Sequence, residues 1–180
     1  VPAHAIAPMK SKNSIFFFII SPLLQNLQIS KRTGAAGVVS TGVLGELGFI
    51  VGDAGYIYGC SDPTAGVTVL DAGDATIDNL LAVHALSDVF AVAVGNNGAV
   101  VYTEDGVLWG AATTRPTAPT EDLTCVWVKG ENEWLVGSNA GSLYATYDKG
   151  VTWTEVTFAG SGTGEVHDIS FATDSVGYLA

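Results

Sequence analysis

Three landmarks in this chain recur at one spacing, and a chain with such a period folds as copies of a single supersecondary unit. Leu80-Leu81-Ala82-Val83, Leu123-Thr124-Cys125-Val126 and Val166-His167-Asp168-Ile169 follow one another at 43 and 43 residues. Val51-Gly52-Asp53-Ala54-Gly55, Val94-Gly95-Asn96-Asn97-Gly98 and Val136-Gly137-Ser138-Asn139-Ala140-Gly141 follow at 43 and 42, which predicts equivalent turns at Gly52, Gly95 and Gly137. Trp109 and Trp153 are 44 apart. Coincidence does not produce three landmarks with one period.

Within a period the local signals are strands and turns. Val89-Phe90-Ala91-Val92-Ala93-Val94 is an apolar run of strand length, and Gly95-Asn96-Asn97-Gly98 is a turn whose Gly and Asn tolerate positive φ. Ala99-Val100-Val101-Tyr102-Thr103 reads as the return strand and Glu104-Asp105-Gly106 as the next turn. Short strands at such spacing, without helical periodicity, predict an all-β chain, and four strands in about 43 residues is the size of one β-propeller blade. The expected organisation is a segment 1–33 followed by blades over about 34–75, 76–118 and 119–160, with a partial blade over 161–180. These three and a half blades predict a larger ring. Because Ser175-Val176-Gly177-Tyr178-Leu179-Ala180 aligns with strands that glycine and a return strand follow, a natural polypeptide running on past residue 180 is expected.

Thr146-Tyr147-Asp148-Lys149-Gly150-Val151-Thr152-Trp153 matches a Ser/Thr-x-Asp-x-Gly-x-Thr-Trp pattern at Thr146, Asp148, Gly150, Thr152 and Trp153. A short carboxylate in a hairpin accepts N–H bonds from its own turn, glycine supplies the reversal, and the indole packs on the sheet. Thr103, Asp105, Gly106 and Trp109 form a copy one residue short, and Ser61, Asp62 and Gly66 form a copy with an insertion and no Trp. The repeat resembles the Asp-box β-propellers, which include sialidase-like repeats, photosystem-assembly propellers and propeller modules of phage and other extracellular proteins. The resemblance covers roughly residues 38–180. It implies that the Asp turns lie at the blade periphery and serve the fold, with no chemistry of their own.

The first segment has another character. Residues 1–32 hold Lys10, Lys12, Lys31 and Arg32 and no acidic residue, whereas the chain from Thr33 onward holds 3 basic and 18 acidic residues. Met9, Lys10 and Lys12 precede an apolar stretch from Ile15 to Leu24, in the order of a secretory signal, but no small-residue cleavage site closes it. Pro22, Gln25, Asn26 and Gln28 interrupt it too early for a membrane span. A strand buried on both faces or a docking arm is the favoured reading; a retained targeting or anchoring segment and a sequence foreign to the propeller are the alternatives.

The acidic repeats repel phosphate backbones, so no nucleic-acid partner is expected. A sialidase-type site needs three arginines around a carboxylate, and this chain has only Arg32 and Arg115. A two-carboxylate glycosidase has acids enough, but nothing in the pattern selects a pair. His4, His84 and His167 read as surface or satisfied core histidines, and Cys60 and Cys125 as small buried side chains without metal-ligand spacing. Asp71-Ala72-Gly73-Asp74 is an acidic turn without a calcium-loop pattern, and neither a metal nor a cofactor is expected. The reading is a non-enzymatic propeller module of a larger assembly, virion-associated or extracellular, with the arm Ile15–Leu24 as its protein contact. The alternative is a binding module or assembly factor, secreted, periplasmic or lumenal, that docks a protein or glycan. No membrane role is expected.

Overall fold

The computed structural model describes residues 28–29, 38–40, 48–60, 68–116, 121–159, 161–162, 164–173 and 175–180. These form four antiparallel sheets in chain order, each a meander of neighbouring strands. The first contains β1 (Gln28–Ile29), β2 (Val38–Ser40), β3 (Gly48–Val51), β4 (Tyr56–Cys60) and β5 (Thr68–Ala72). The second contains β6 (Leu80–Ala85), β7 (Ala91–Gly95), β8 (Val100–Thr103) and β9 (Trp109–Ala111). The third is β10 (Leu123–Gly130), β11 (Glu133–Ser138), β12 (Leu143–Thr146) and β13 (Thr154–Val156), and the fourth pairs β14 (Ile169–Thr173) with β15 (Val176–Leu179). The only helical elements among the described residues are one-turn 3-10 segments at Asp53–Gly55 and Asn96–Gly98. Gln28–Ile29, inside the segment read as an arm, pairs with β2 and gives the first sheet its fifth strand. Residues 15–24 lie outside the described residues.

Successive sheets pack face to face: β6 lies against β2 and β3, β10 against β6 and β7, and β14 against β10 and β11. This arrangement explains the unbroken apolar run of β7. Ala91, Ala93 and Val101 face the first sheet beside Phe49, Val51 and Ile57, whereas Phe90, Val92, Val94 and Val100 face the third beside Val126, Val128 and Trp134. With both faces covered, an alternating polar pattern would bury polar groups without partners. A third apolar layer, with Cys125, Leu143, Val166 and Ile169, joins the third and fourth sheets.

The hydrogen bonds fix the period at 43 and correct one expectation. Gly52 N–H donates to Tyr56 O and Gly95 N–H to Ala99 O, both at 3.0 Å, and the matching bond in the third sheet runs from Ser138 N–H to Ser142 O at 2.9 Å. Asn96 N–H donates to Asn79 O and Asn139 N–H to Asp122 O in the same way. Ser138, not Gly137, is therefore the equivalent of Gly52 and Gly95. The turn is better marked by its second glycine: Gly55, Gly98 and Gly141, spaced by 43, all have positive φ, at 75°, 68° and 81°. Gly137 takes the strand position of Val94. Its cross-strand partner is Cys125 where Val94 faces Ala82, so a large residue meets a small one in both sheets.

Candidate functional site

A meander places the turns alternately at its two ends. The β6–β7 and β10–β11 turns lie at the same end as the β8–β9 and β12–β13 turns, which contain Asp105 and Asp148. In the third sheet the buried Thr146 hydroxyl donates to Asp148 Oδ1 at 2.8 Å and accepts the N–H groups of Asp148 and Gly150 at 3.3 and 2.9 Å. Asp148 Oδ1 also accepts from Val151 N–H at 3.1 Å and Thr152 N–H at 2.8 Å, while Oδ2 accepts from the Thr152 hydroxyl. Thr152, followed by the other donors, holds this carboxyl down at about 2. The shorter copy reaches the same arrangement: Asp105 Oδ1 takes Val107 N–H and Leu108 N–H, both at 2.8 Å, and Gly106 N–H donates to the Thr103 hydroxyl at 3.0 Å. Bonds from Leu108 and Val107 lower its pKa. Carboxylates saturated in this way are poor proton carriers and poor metal ligands. Ser61, Asp62 and Gly66 lie outside the described residues.

The turns also join neighbouring sheets. Trp153 stands 6.4 Å from the buried Trp134, and its Nε1–H donates to Thr114 O, beyond β9 of the preceding sheet, at 3.2 Å. Thr114 N–H donates in return to Gly150 O at 3.0 Å. Gly150 has φ 76°, and a Cβ there would meet Ala112 Cβ at 2.9 Å, so this position requires glycine. Trp109 packs edge-on against Phe49 of the first sheet, at 5.3 Å. Lys149 bonds Glu104 of the second sheet, lies 3.9 Å from Glu131, and stands over the Phe90 ring.

This end carries an apolar rim. Leu86 and Val89 from the β6–β7 turn, Val107 and Leu108 from the β8–β9 turn, and Tyr147 and Val151 from the β12–β13 turn are exposed, Leu108 by 74% and Tyr147 by 68%. Gly106 lies against the backbone of Asp88 and Val89, and the Glu104–Lys149 pair links the second sheet's turns to the third's, so the turns that carry the rim adjoin one another. Exposed carboxylates at Asp88, Glu104 and Glu131 border it. Large apolar side chains concentrated at one end, on turns braced by hydrogen bonds, are what an interaction surface needs. Sequence reasoning identified the Asp turns and missed the rim, because its members come from three turns spread over 66 positions of the chain.

The opposite end is a set of clasps. Ala54 N–H donates to Asn79 Oδ1 at 2.8 Å and, one period on, Asn97 N–H to Asp122 Oδ1 at 3.0 Å. Arg115 bridges Asp78 Oδ2, at 3.1 Å, and Asn97 O. Burial opposes ionisation of Asp78, but the bonds from Asn97 and Arg115 outweigh it and lower its pKa. Asp71 is turned inward and accepts the N–H groups of Gly73 and Asp74 at 2.7 and 2.8 Å, which occupies the acidic turn with its own backbone. No group of three His, Cys, Asp or Glu residues suited to a metal occurs among the described residues.

His84 lies within β6, where the sequence places it after a strand. It is buried between sheets: Nδ1 accepts Val128 N–H of β10 at 3.1 Å, and the ring lies 4.5 Å from Trp127. Burial lowers its pKa to about 4. Burial also raises that of Cys125 to about 12. His167 is exposed, 3.6 Å from Glu165. No helix among the described residues is long and apolar enough to cross a membrane.

No family model matches the chain, and no curated protein matches it. Solved structures do. One, "YCF48 bound to D1 peptide", is 17% identical, with a TM-score of 0.57 over 84% of this chain and 47% of that one. Another, YCF48 from Cyanidioschyzon merolae, is 18% identical, with a TM-score of 0.56 over 82% of this chain and 50% of that one. This chain thus spans about half the length of the structures it matches. Together with the four packed antiparallel sheets, the likeness shows that the chain has a β-propeller fold.

Proposed function

We propose that the chain is a non-enzymatic propeller module that docks a polypeptide through the Asp-turn end of its second and third sheets. The observation that carries this reading is the rim of Leu86, Val89, Val107, Leu108, Tyr147 and Val151, exposed together on braced turns. A shared fold lends support, since one YCF48 structure holds a D1 peptide. The same proposal assigns Thr146, Asp148, Gly150, Thr152 and Trp153, with Thr103, Asp105, Gly106 and Trp109, to Asp-box turns that brace the surface and perform no chemistry. Among the described residues these carboxylates are occupied by turn donors, which favours docking over glycoside hydrolysis. The reading as a structural module of a virion or an extracellular assembly rests on the arm Ile15–Leu24, outside the described residues.

Panning a random peptide library against the immobilised chain tests the docking role. Peptides retained by the wild type should also be retained by Ile77→Asp, at the opposite end, and should lose at least about tenfold in affinity, or about 1.4 kcal/mol, against Leu108→Asp/Tyr147→Asp. Equal retention by the rim variant would place docking elsewhere.

A further inference from the structure

We infer that the rim seats the chain's own N-terminal segment, Lys10–Leu24, a deepening that rests on the docking role assigned to the rim above. The rim calls for a ligand of particular chemistry: aliphatic or aromatic side chains to cover Leu86, Leu108 and Tyr147, flanked by cations to meet Asp88, Glu104 and Glu131. Lys149 is shared between Glu104 and Glu131, so on the rim one cation faces three carboxylates. The segment has this chemistry. Lys10 and Lys12 stand just ahead of the apolar run Ile15–Leu24, in a stretch of 32 residues without one carboxylate, whereas from Thr33 onward the chain carries 3 basic against 18 acidic residues.

Topology brings the segment to the correct end. Val38 pairs with Val51, which borders the Asp53–Gly55 turn at the clasp end, so Ser40 marks the other end of β2, on the side of the Asp turns. Gln28 pairs with Ser40. The chain therefore enters β1 from the Asp-turn end, with only three residues between Leu24 and Gln28. An extended stretch of about 15 residues reaches on the order of 50 Å, enough to cross the turns of two sheets. Attachment to the same chain gives the segment an effective concentration of order millimolar, so it holds the rim against a free second copy and must be displaced by any partner.

The test uses the full chain carrying a photoreactive benzophenone side chain in place of Leu108, of Tyr147 or, as a control, of Ile77. It is irradiated at a dilution where the protein is monomeric and mapped by peptide mass spectrometry. Adducts from positions 108 and 147 to residues 10–24 of the same chain are expected, with none from position 77. Lys10→Glu/Lys12→Glu should reduce their yield about threefold or more, and salt should reduce it as well. Adducts found only in cross-linked dimers would overturn the inference in favour of a second copy, and absence of adducts to residues 10–24 would overturn it outright. A soluble lysine-flanked Ile/Phe peptide, added in excess, separates the two readings. If the peptide labels from position 108 while the segment does not, self-docking fails and the docking role stands. If neither labels, both fail.

Discussion

Acidification should loosen the contact between the second and third sheets at a single side chain, His84. Its Nδ1 accepts Val128 N–H at 3.1 Å, which only the neutral ring can do, and burial holds its pKa at about 4 against 6.5 for an unperturbed histidine. Since the folded value is the lower one, the stability this site contributes is complete above pH 6.5 and is lost as pH falls towards 4, where the unfolded chain takes up a proton that the native chain refuses. The loss runs at about 1.4 kcal/mol per pH unit, so moving from pH 7 to pH 4.5 removes roughly 2 kcal/mol. Urea denaturation of wild type and of His84→Asn at the two pH values measures it. Asparagine keeps an acceptor near the Nδ1 position and does not titrate. The wild type should lose roughly 2 kcal/mol more than the variant over this interval, with unchanged m-values. Equal losses would refute the claim that a neutral His84 joins the sheets.

Thr146→Val, which keeps the shape and deletes the hydroxyl that accepts the Gly150 and Asp148 N–H groups, should cost about 1–3 kcal/mol in the same assay. Gly137→Ala places a Cβ 2.6 Å from Cys125 Sγ and 2.7 Å from Val166 Cγ1 and should cost about 1–3 kcal/mol. Adding Cys125→Ala, which reproduces the small residue that faces Val94, should restore part of that stability, and strict additivity of the two changes would contradict the pairing. Asp148, held at about 2 by Thr152 and its neighbours, contributes stability that is complete above the ordinary 3.8 and is lost as pH falls towards 2, so Asp148→Asn should flatten that acid limb in a pH titration of thermal unfolding.

Period, strand content and turn chemistry were legible in the sequence because each depends on near neighbours. The apolar run of β7, the positive-φ glycines and the Thr146–Trp153 motif all act within a few residues of themselves. Alignment on the first glycine of the turn failed for a physical reason. Gly52 and Gly95 have extended backbones, with φ of −162° and −171°, a conformation open to any residue. Glycine is demanded at 95 by a neighbour, since a Cβ there would stand 2.0 Å from Asn79 O. At the third turn Ser138 carries a side chain, and its hydroxyl accepts Ala140 N–H and Ser142 N–H. A glycine imposed by a close approach of the paired strand is specific to that contact, whereas Gly55, Gly98 and Gly141 are imposed by the turn itself and recur without a slip.

By itself, then, the sequence determined a chain of β-blades with hydrogen-bonded Asp turns, and it determined the separation of a basic, apolar leading segment from acidic repeats. Tertiary structure decided which residues meet across blades: His84 with Val128, 44 positions apart, Trp153 with Thr114, 39 apart, and Lys149 with Glu104, 45 apart. It also gathered Leu86, Leu108 and Tyr147, unremarkable singly in three turns, into one exposed rim. Local sequence encodes how each turn closes. Only the stacking of successive sheets sets which turns lie side by side, because that depends on packing between residues a full repeat apart.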